Sequence, residues 1–267
     1  MKITDFEYAG EKLSNKNCMI CSFDSIGTDT VSIGNNLSYT TVRDNNSYVQ
    51  RKVSTSYEDS LECTFQICKN NCNNTNDRTF SEEEIRSIMK WLNRKSFEIF
   101  KPIYDKIYSG VYFEGYFNVQ TIVLAENVIG FELTFSTNAP YGFSDCLVTK
   151  TLSASENISI NTTSDEIGYI YPNIVIECKE AGDLTITNKR DDLQTLIKNC
   201  SANETITINE AKVITTTTSS HTTLSKDFNY KHPRLITSYS SDLNTFSVSL
   251  SCVITFSYKA IRKVGVL

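Results

Sequence analysis

The sequence predicts a mainly β protein with a single helix, on three observations. Thr, Ser, Ile, Val, Tyr and Phe dominate the composition, and these residues suit pleated, half-buried surfaces. Apolar and polar residues alternate with period two through many short segments. Between them Asn, Asp and Gly recur at strand-and-turn spacing. Only 81–94 carries a convincing helical period instead. At 267 residues the chain is long enough to bury one large β-domain or two of ordinary size.

In chain order, 30–33, 37–42 and 48–56 read as strands. Gly34-Asn35-Asn36 and Asp44-Asn45-Asn46 turn the chain between them, since Asn and Asp tolerate left-handed backbone and bond to their own main chain. In 61–67, Leu61, Cys63, Phe65 and Ile67 share one face and Glu62, Thr64 and Gln66 the other. An Asn-rich loop, 69–78, follows. Ser81 and Glu84 then form a capping-box pattern. Glu82, Glu83 and Glu84 sit at the helix start and Lys90, Arg94 and Lys95 at its end, matching the helix dipole. Ile85, Ile88, Met89 and Leu92 make the apolar stripe that packs on a sheet, with Trp91 expected at the edge of that contact.

Strands return at 97–103 and 107–112, with Ser109-Gly110 as a turn. The segments 116–126 and 128–137 read as a long pair joined at Glu126-Asn127. Ala139-Pro140-Tyr141-Gly142 breaks the pattern and marks a domain boundary, giving 1–143 and 144–267. Beyond it the predicted strands are 157–161, 174–178, 184–188, 205–209, 213–217, 235–239, 245–250 and 252–258. Gly182-Asp183 and Leu243-Asn244 are expected at hairpins. No helix is expected in this half. Strands at this spacing suit a β-sandwich or barrel.

Net charge is −5, and neither half is basic: 14 basic against 18 acidic residues up to Phe143, then 12 against 13. That argues against a dedicated nucleic-acid-binding domain. Lys259, Arg262 and Lys263 read as a solvated strand end. Residues 1–14 lack the apolar core of a signal peptide, and no stretch is long enough to span a bilayer. Synthesis in a reducing cytoplasm is therefore expected. An odd count of nine cysteines then favours free, mostly buried thiols.

Candidate chemistry is sparse. His221 lies in a Ser/Thr tract and His232 precedes Pro233. Both read as surface or turn residues without the fixed acidic partner or nucleophile elbow of a hydrolase. Cys18 and Cys21 form a C-x-x-C, and Cys63, Cys68 and Cys72 lie at spacings unlike a zinc knuckle. Asp165-Glu166 and Asp191-Asp192 are adjacent pairs, so on a strand each pair points to opposite faces and cannot form a glycosidase dyad alone. Tyr104, Tyr108, Tyr112, Phe113, Tyr116 and Phe117 cluster closely, and alternation sends half to a core and half to a contact surface. No catalytic, cofactor-binding or metal-binding residue is assigned. No phosphate loop or calcium loop is present in the sequence.

Ordered blocks along the chain nonetheless carry a resemblance. They are Phe6-Glu7-Tyr8-Ala9-Gly10 and Phe23-Asp24-Ser25; Ser54-Thr55-Ser56-Tyr57-Glu58; Trp91-Leu92-Asn93-Arg94-Lys95 and the strand 112–117; Gly130-Phe131-Glu132-Leu133-Thr134-Phe135 and Thr137-Asn138-Ala139-Pro140-Tyr141. In the second half Tyr171-Pro172, the run 182–188, the run 204–208 and Phe228-Asn229-Tyr230 follow in order. In this order and spacing the chain resembles siphophage distal tail proteins of phages and prophages of Gram-positive bacteria.

The resemblance implies an N-terminal β-sandwich with one helix and a protruding hairpin, and a C-terminal galectin-like β-sandwich. It implies a non-enzymatic, hexameric ring hub at the virion tail tip. That ring joins the tail tube to the tail-tip or baseplate protein, and in some members its outer domains hold receptor-binding proteins. DNA passes the open channel without specific binding, and no cofactor or membrane is involved. The alternative is a carbohydrate-binding β-sandwich for host cell-wall polysaccharide, which predicts an exposed aromatic cleft in 144–267. A tail-tip hydrolase is a third class, for which no residues are assigned. The cysteines of the first half and the Asn70 to Asn76 loop have no counterpart in the resemblance.

Overall fold

The computed structural model describes residues 3–22, 37–45, 48–57, 60–70, 78–104, 107–108, 110–218 and 221–263. The chain forms two compact units. One runs to Phe143 and is rejoined at Lys263; the other is Ser144–Arg262. The expected strand at 30–33 lies outside the described residues, as does most of the Asn-rich loop.

The first unit contains β1 (Asp5–Tyr8), β2 (Glu11–Lys12), β3 (Cys18–Cys21), β4 (Leu37–Val42), β5 (Arg51–Tyr57), β6 (Glu62–Lys69), α1 (Glu82–Leu92), β7 (Glu98–Tyr104), β8 (Ile107–Tyr108), β9 (Phe113–Leu124) and β10 (Asn127–Thr137). Eight of these strands form one antiparallel sheet in the order β2-β1-β7-β9-β10-β6-β3, with β8 added to β7. Strands β1 and β6 stand four places apart, about 19 Å in a flat sheet. Yet the rings of Phe6 and Phe65 approach to 5.3 Å. The sheet therefore rolls over on itself, and its two halves enclose Phe6, Tyr8, Phe100, Phe117, Phe131 and Phe135. One rolled sheet supplies both layers of the expected sandwich.

The helix starts where the capping box places it. Ser81 Oγ accepts from the Glu84 N–H, and Glu84 Oε2 accepts from the Ser81 N–H. Its inward face is Ile88, Trp91 and Leu92. Trp91 is not at the edge of this contact but inside the core. Its ring stacks on Phe6, with centroids 5.7 Å apart and planes within 6°. Its Nε1–H donates to the Tyr8 carbonyl at 2.9 Å. The helix ends at Leu92, short of the predicted Arg94. The β9–β10 turn falls at Ala125 and Glu126, one residue before the expected place. Both residues have positive φ, as a tight two-residue hairpin requires.

The second unit is built from β11 (Gly142–Leu152), which starts at the unit boundary, β12 (Asn157–Asn161), β13 (Gly168–Ile170), β14 (Asn173–Cys178), β15 (Gly182–Asn188), β16 (Leu193–Cys200), β17 (Thr205–Ile208), β18 (Ile214–Thr216), α2 (Leu224–Asp227), β19 (Leu235–Thr237), β20 (Leu243–Val248) and β21 (Cys252–Arg262). A five-stranded sheet, β11-β21-β14-β17-β18, faces a four-stranded one, β12-β20-β15-β16. Alternate residues such as Ile158, Ile174, Ile176, Leu184, Ile186, Phe246 and Phe256 fill one core. Phe246 of one sheet and Phe256 of the other meet at 5.0 Å.

Several sequence expectations differ here. Gly182-Asp183 is no hairpin, because β14 and β15 belong to different sheets and the chain crosses the core between them. Leu243 and Asn244 open β20 instead of turning the chain. Strands β1, β2, β3, β11, β13 and β16 were not predicted, and α2 adds one helical turn where none was expected. Arg262 is no solvated end. Its guanidinium donates to Ser144 Oγ and to Thr163.

Candidate functional site

Strands β4 and β5 form a two-stranded ribbon that, among the described residues, no third strand joins. Such ribbons are marginal in water, because two strands bury little and leave both outer edges without ladder bonds. This one is apolar as well. Leu37, Tyr39, Val42, Tyr48, Val49 and Val53 are all exposed, Tyr39 at 55% and Val53 at 64%. The ladder pairs Thr40 with Ser54 and Thr41 with Lys52, which leaves Val53 as the extra residue of a bulge. A bulge twists a strand and re-aims its side chains. The Lys52 ammonium lies 5.5 Å from the Tyr39 ring centre. Tyr57, at the ribbon's base, meets Tyr141 edge-on at 6.0 Å.

The aromatic run near β9 separates cleanly. Phe113 and Phe117, four apart on one face, are core, and Tyr112 is buried beside them. Tyr116 points outward against Phe97 at 6.1 Å, both exposed. Tyr104 is half-buried, and the side chain of Tyr108 lies outside what the structure describes.

His221 departs most from its expected setting. It is buried, and its Nδ1 lies 2.7 Å from Glu204 Oε1. Its Nε2 lies 3.4 Å from Asp227 Oδ2. Glu204 is fully buried and also accepts from Thr216 Oγ1 at 2.5 Å and from the Ser201 N–H at 2.7 Å. Burial pushes the Glu204 carboxyl up, but these hydrogen bonds and His221 outweigh it and leave it below its usual value. Burial likewise draws His221 down, and the Glu204 hydrogen bond and charge hold it above its usual value. The fixed acidic partner absent from the sequence pattern is thus present in space, 17 residues away. It ties α2 to β17 and β18. His232 is partly buried, packs edge-on against Phe228 at 5.1 Å, and is lowered by burial and by Lys212.

The remaining candidates stay apart. Asp191 pairs with Arg234 at 2.9 Å, and Asp165 lies 3.9 Å from Arg262. Cys18, Cys178, Cys200 and Cys252 are buried free thiols, while Cys21, Cys63, Cys68 and Cys146 are partly buried ones. Burial pushes Cys18, Cys21 and Cys63 up to about 12. Cys72 lies outside the described residues. Among those described, no three or more His, Cys, Asp or Glu gather as a metal site. An open groove on the four-stranded sheet is lined by Ser155, Asn157, Thr185, Thr187, Lys189 and Ser247, among others, and by no aromatic ring. The exposed rings of Tyr169, Tyr230 and Tyr239 do not line it.

Two family matches cover nearly the whole chain. Residues 1–139 match the phage tail protein N-terminal domain, and residues 141–258 match the phage tail C-terminal domain. No curated protein matches in sequence. Among solved structures, the chain is similar to the Dit protein (gp 19.1) of phage SPP1, described as a paradigm of the hub adsorption apparatus in phages infecting Gram-positive bacteria. The TM-score is 0.61 at 10% identity, over 97% of this chain and 99% of that one. A chain of the phage P2 baseplate in its activated conformation with Ca covers the same shares at TM-score 0.46 and 9% identity. The first likeness is one of fold.

Proposed function

The chain belongs to the phage tail protein family whose N- and C-terminal domains it matches in order, and from that premise we propose that it is the distal tail hub. In this reading it is a non-enzymatic subunit that closes into a hexameric ring at the virion tail tip. The ring joins the tail tube to the tail-tip or baseplate protein and leaves an open bore for DNA. Residues 1–143 form the ring, and 144–267 are the galectin-like lobe that meets host-recognition proteins. The Dit-like fold supports this assignment.

The observation that carries the reading is the β4–β5 ribbon. It leaves apolar side chains exposed and, among the described residues, both outer edges unladdered, a surface that a neighbouring subunit would cover. A head-to-tail contact repeated around an axis closes into a ring when the rotation fits. The function is then one of shape and two dissimilar faces, without a reactive group.

Negative-stain imaging and sedimentation of the purified chain test this. Annular six-fold particles are expected. Tyr39→Asp with Val53→Asp is expected to leave a folded monomer, since the ribbon contributes little to the fold of its own subunit. A wild-type chain that stays monomeric at high concentration and with its tail partners would overturn the reading. The carbohydrate-binding alternative predicts retention of the chain on host wall polysaccharide. The aromatic-free groove gives it less support than the ribbon gives the ring.

A further inference from the structure

Helix α1 carries unlike charge at its two ends, and both ends exceed what the helix needs. At its C-terminal end an open cleft of ≈ 420 Å³ is lined by Lys16, Lys90, Trp91, Arg94 and Lys95, with Glu11 as the one acid. Lys16 pairs with Glu11 and lies over the Trp91 ring at 5.7 Å. Among the described residues, Lys90, Arg94 and Lys95 pair with no carboxylate, although all three are exposed. The cleft is therefore a concave surface with surplus positive charge on a chain whose net charge is −5.

At the other end, Glu84 is occupied by the capping box and by Lys69 at 2.8 Å. Glu82 and Glu83 are exposed. Among the described residues Glu82 has only a long pair with Arg86 at 3.8 Å, both side chains being more than four-fifths exposed, so solvent screens it. Glu83 has no partner among the described residues. The eleven residues of α1 set the two clusters about 16 Å apart along one axis. They lie at opposite ends of that axis. A head-to-tail contact joins two unlike patches of one subunit, and these two are unlike in charge.

We propose that the basic cleft receives Glu82 and Glu83 of a second copy of this chain, so that α1 of each subunit leads into α1 of the next. This rests on the ring reading above and specifies one of its contacts. A cationic helix end also stabilises its own helix. That role is served by one cation in the last turn, and it leaves the cleft and the unpaired Glu83 unexplained. Paired charges across such a contact set register and speed encounter, and salt weakens them.

The test uses two full-length variants that remain self-repelling. Glu82→Lys with Glu83→Lys has two basic ends, and Lys90→Glu with Lys95→Glu has two acidic ends. Each alone is expected to form rings only at concentrations at least tenfold above wild type. Mixed in equal amounts, they are expected to recover rings of alternating subunits, which an even-numbered hexamer permits. Circular dichroism of each variant confirms the fold, and the mixture is its own control because recovery requires both proteins folded. If wild type forms rings and each variant alone does so equally well, this contact is wrong while the ring stands. If each variant fails and the mixture also fails, the contact is again refuted. A wild-type chain that forms no ring at low salt and high concentration, alone and with its tail partners, removes the ring and the contact together.

Discussion

His221 Nδ1 lies 2.7 Å from Glu204 Oε1, and both side chains are removed from solvent. His221 is raised above 6.5, so its share of stability is present below 6.5 and is lost as pH climbs through the folded value. Glu204 is lowered below 4.5, so its share is present above 4.5 and is lost as pH falls through the folded value. The pair stabilises the Ser144–Arg262 unit most between 4.5 and 6.5. Thermal melts across pH, wild type against His221→Gln with Glu204→Gln, check this. The gap between the two curves is expected to be widest in that window and to narrow on both sides. A gap independent of pH would count against an ionised pair.

Removing one partner alone is expected to be worse than removing both. His221→Ala leaves a buried carboxylate with less compensation, at a cost of about 3 kcal/mol or more. Denaturant unfolding of this variant beside the double variant measures the difference.

Trp91 holds the helix to the sheet in two ways, through ring stacking and through its Nε1–H to the Tyr8 carbonyl. Trp91→Ala is expected to cost about 3–5 kcal/mol. Trp91→Phe keeps much of the ring contact but leaves the Tyr8 carbonyl without that donor, at about 1–3 kcal/mol. Chemical unfolding monitored by far-ultraviolet circular dichroism ranks the two. Equal losses would show that the ring stacking carries no weight beyond the hydrogen bond.

Gly115 is required by a close approach of β9 to β10. A Cβ there would stand 2.2 Å from the Ser136 carbonyl oxygen and 2.8 Å from the Phe135 ring. Gly115→Ala is expected to destabilise the first unit by at least about 1–3 kcal/mol, since the obstacle is backbone within a paired strand. A melting temperature equal to wild type would mean that the two strands part without penalty.

Tyr8 gives a prediction of the opposite sign. Its hydroxyl is buried and bonds to no described residue, and burial pushes its pKa up to about 12. Tyr8→Phe removes a buried polar group and keeps the ring. It is expected to leave stability unchanged or raise it by about 1 kcal/mol, as read by the shift in denaturant midpoint.

The residue pattern carries the fold class, the helix start and most of the long strands. These rest on local signals: the Ser81–Glu84 box, and the period-two run from Leu61 to Ile67 that became β6. It missed β1 to β3 and β16 because short segments of two to eight residues with mixed patterning take their strand state from the neighbours that complete the ladder. It placed Trp91 at an edge because helical period gives a direction around the axis, not the depth of the surface it meets. Packing in three dimensions is what rolls β1 over to bring Phe6 against Phe65. It alone carried the chain across the core at Gly182, and it alone brought Glu204 to His221 within a buried pocket. Each is a pairing between groups distant in sequence, settled by which apolar faces close on one another, and a linear pattern holds no record of that choice.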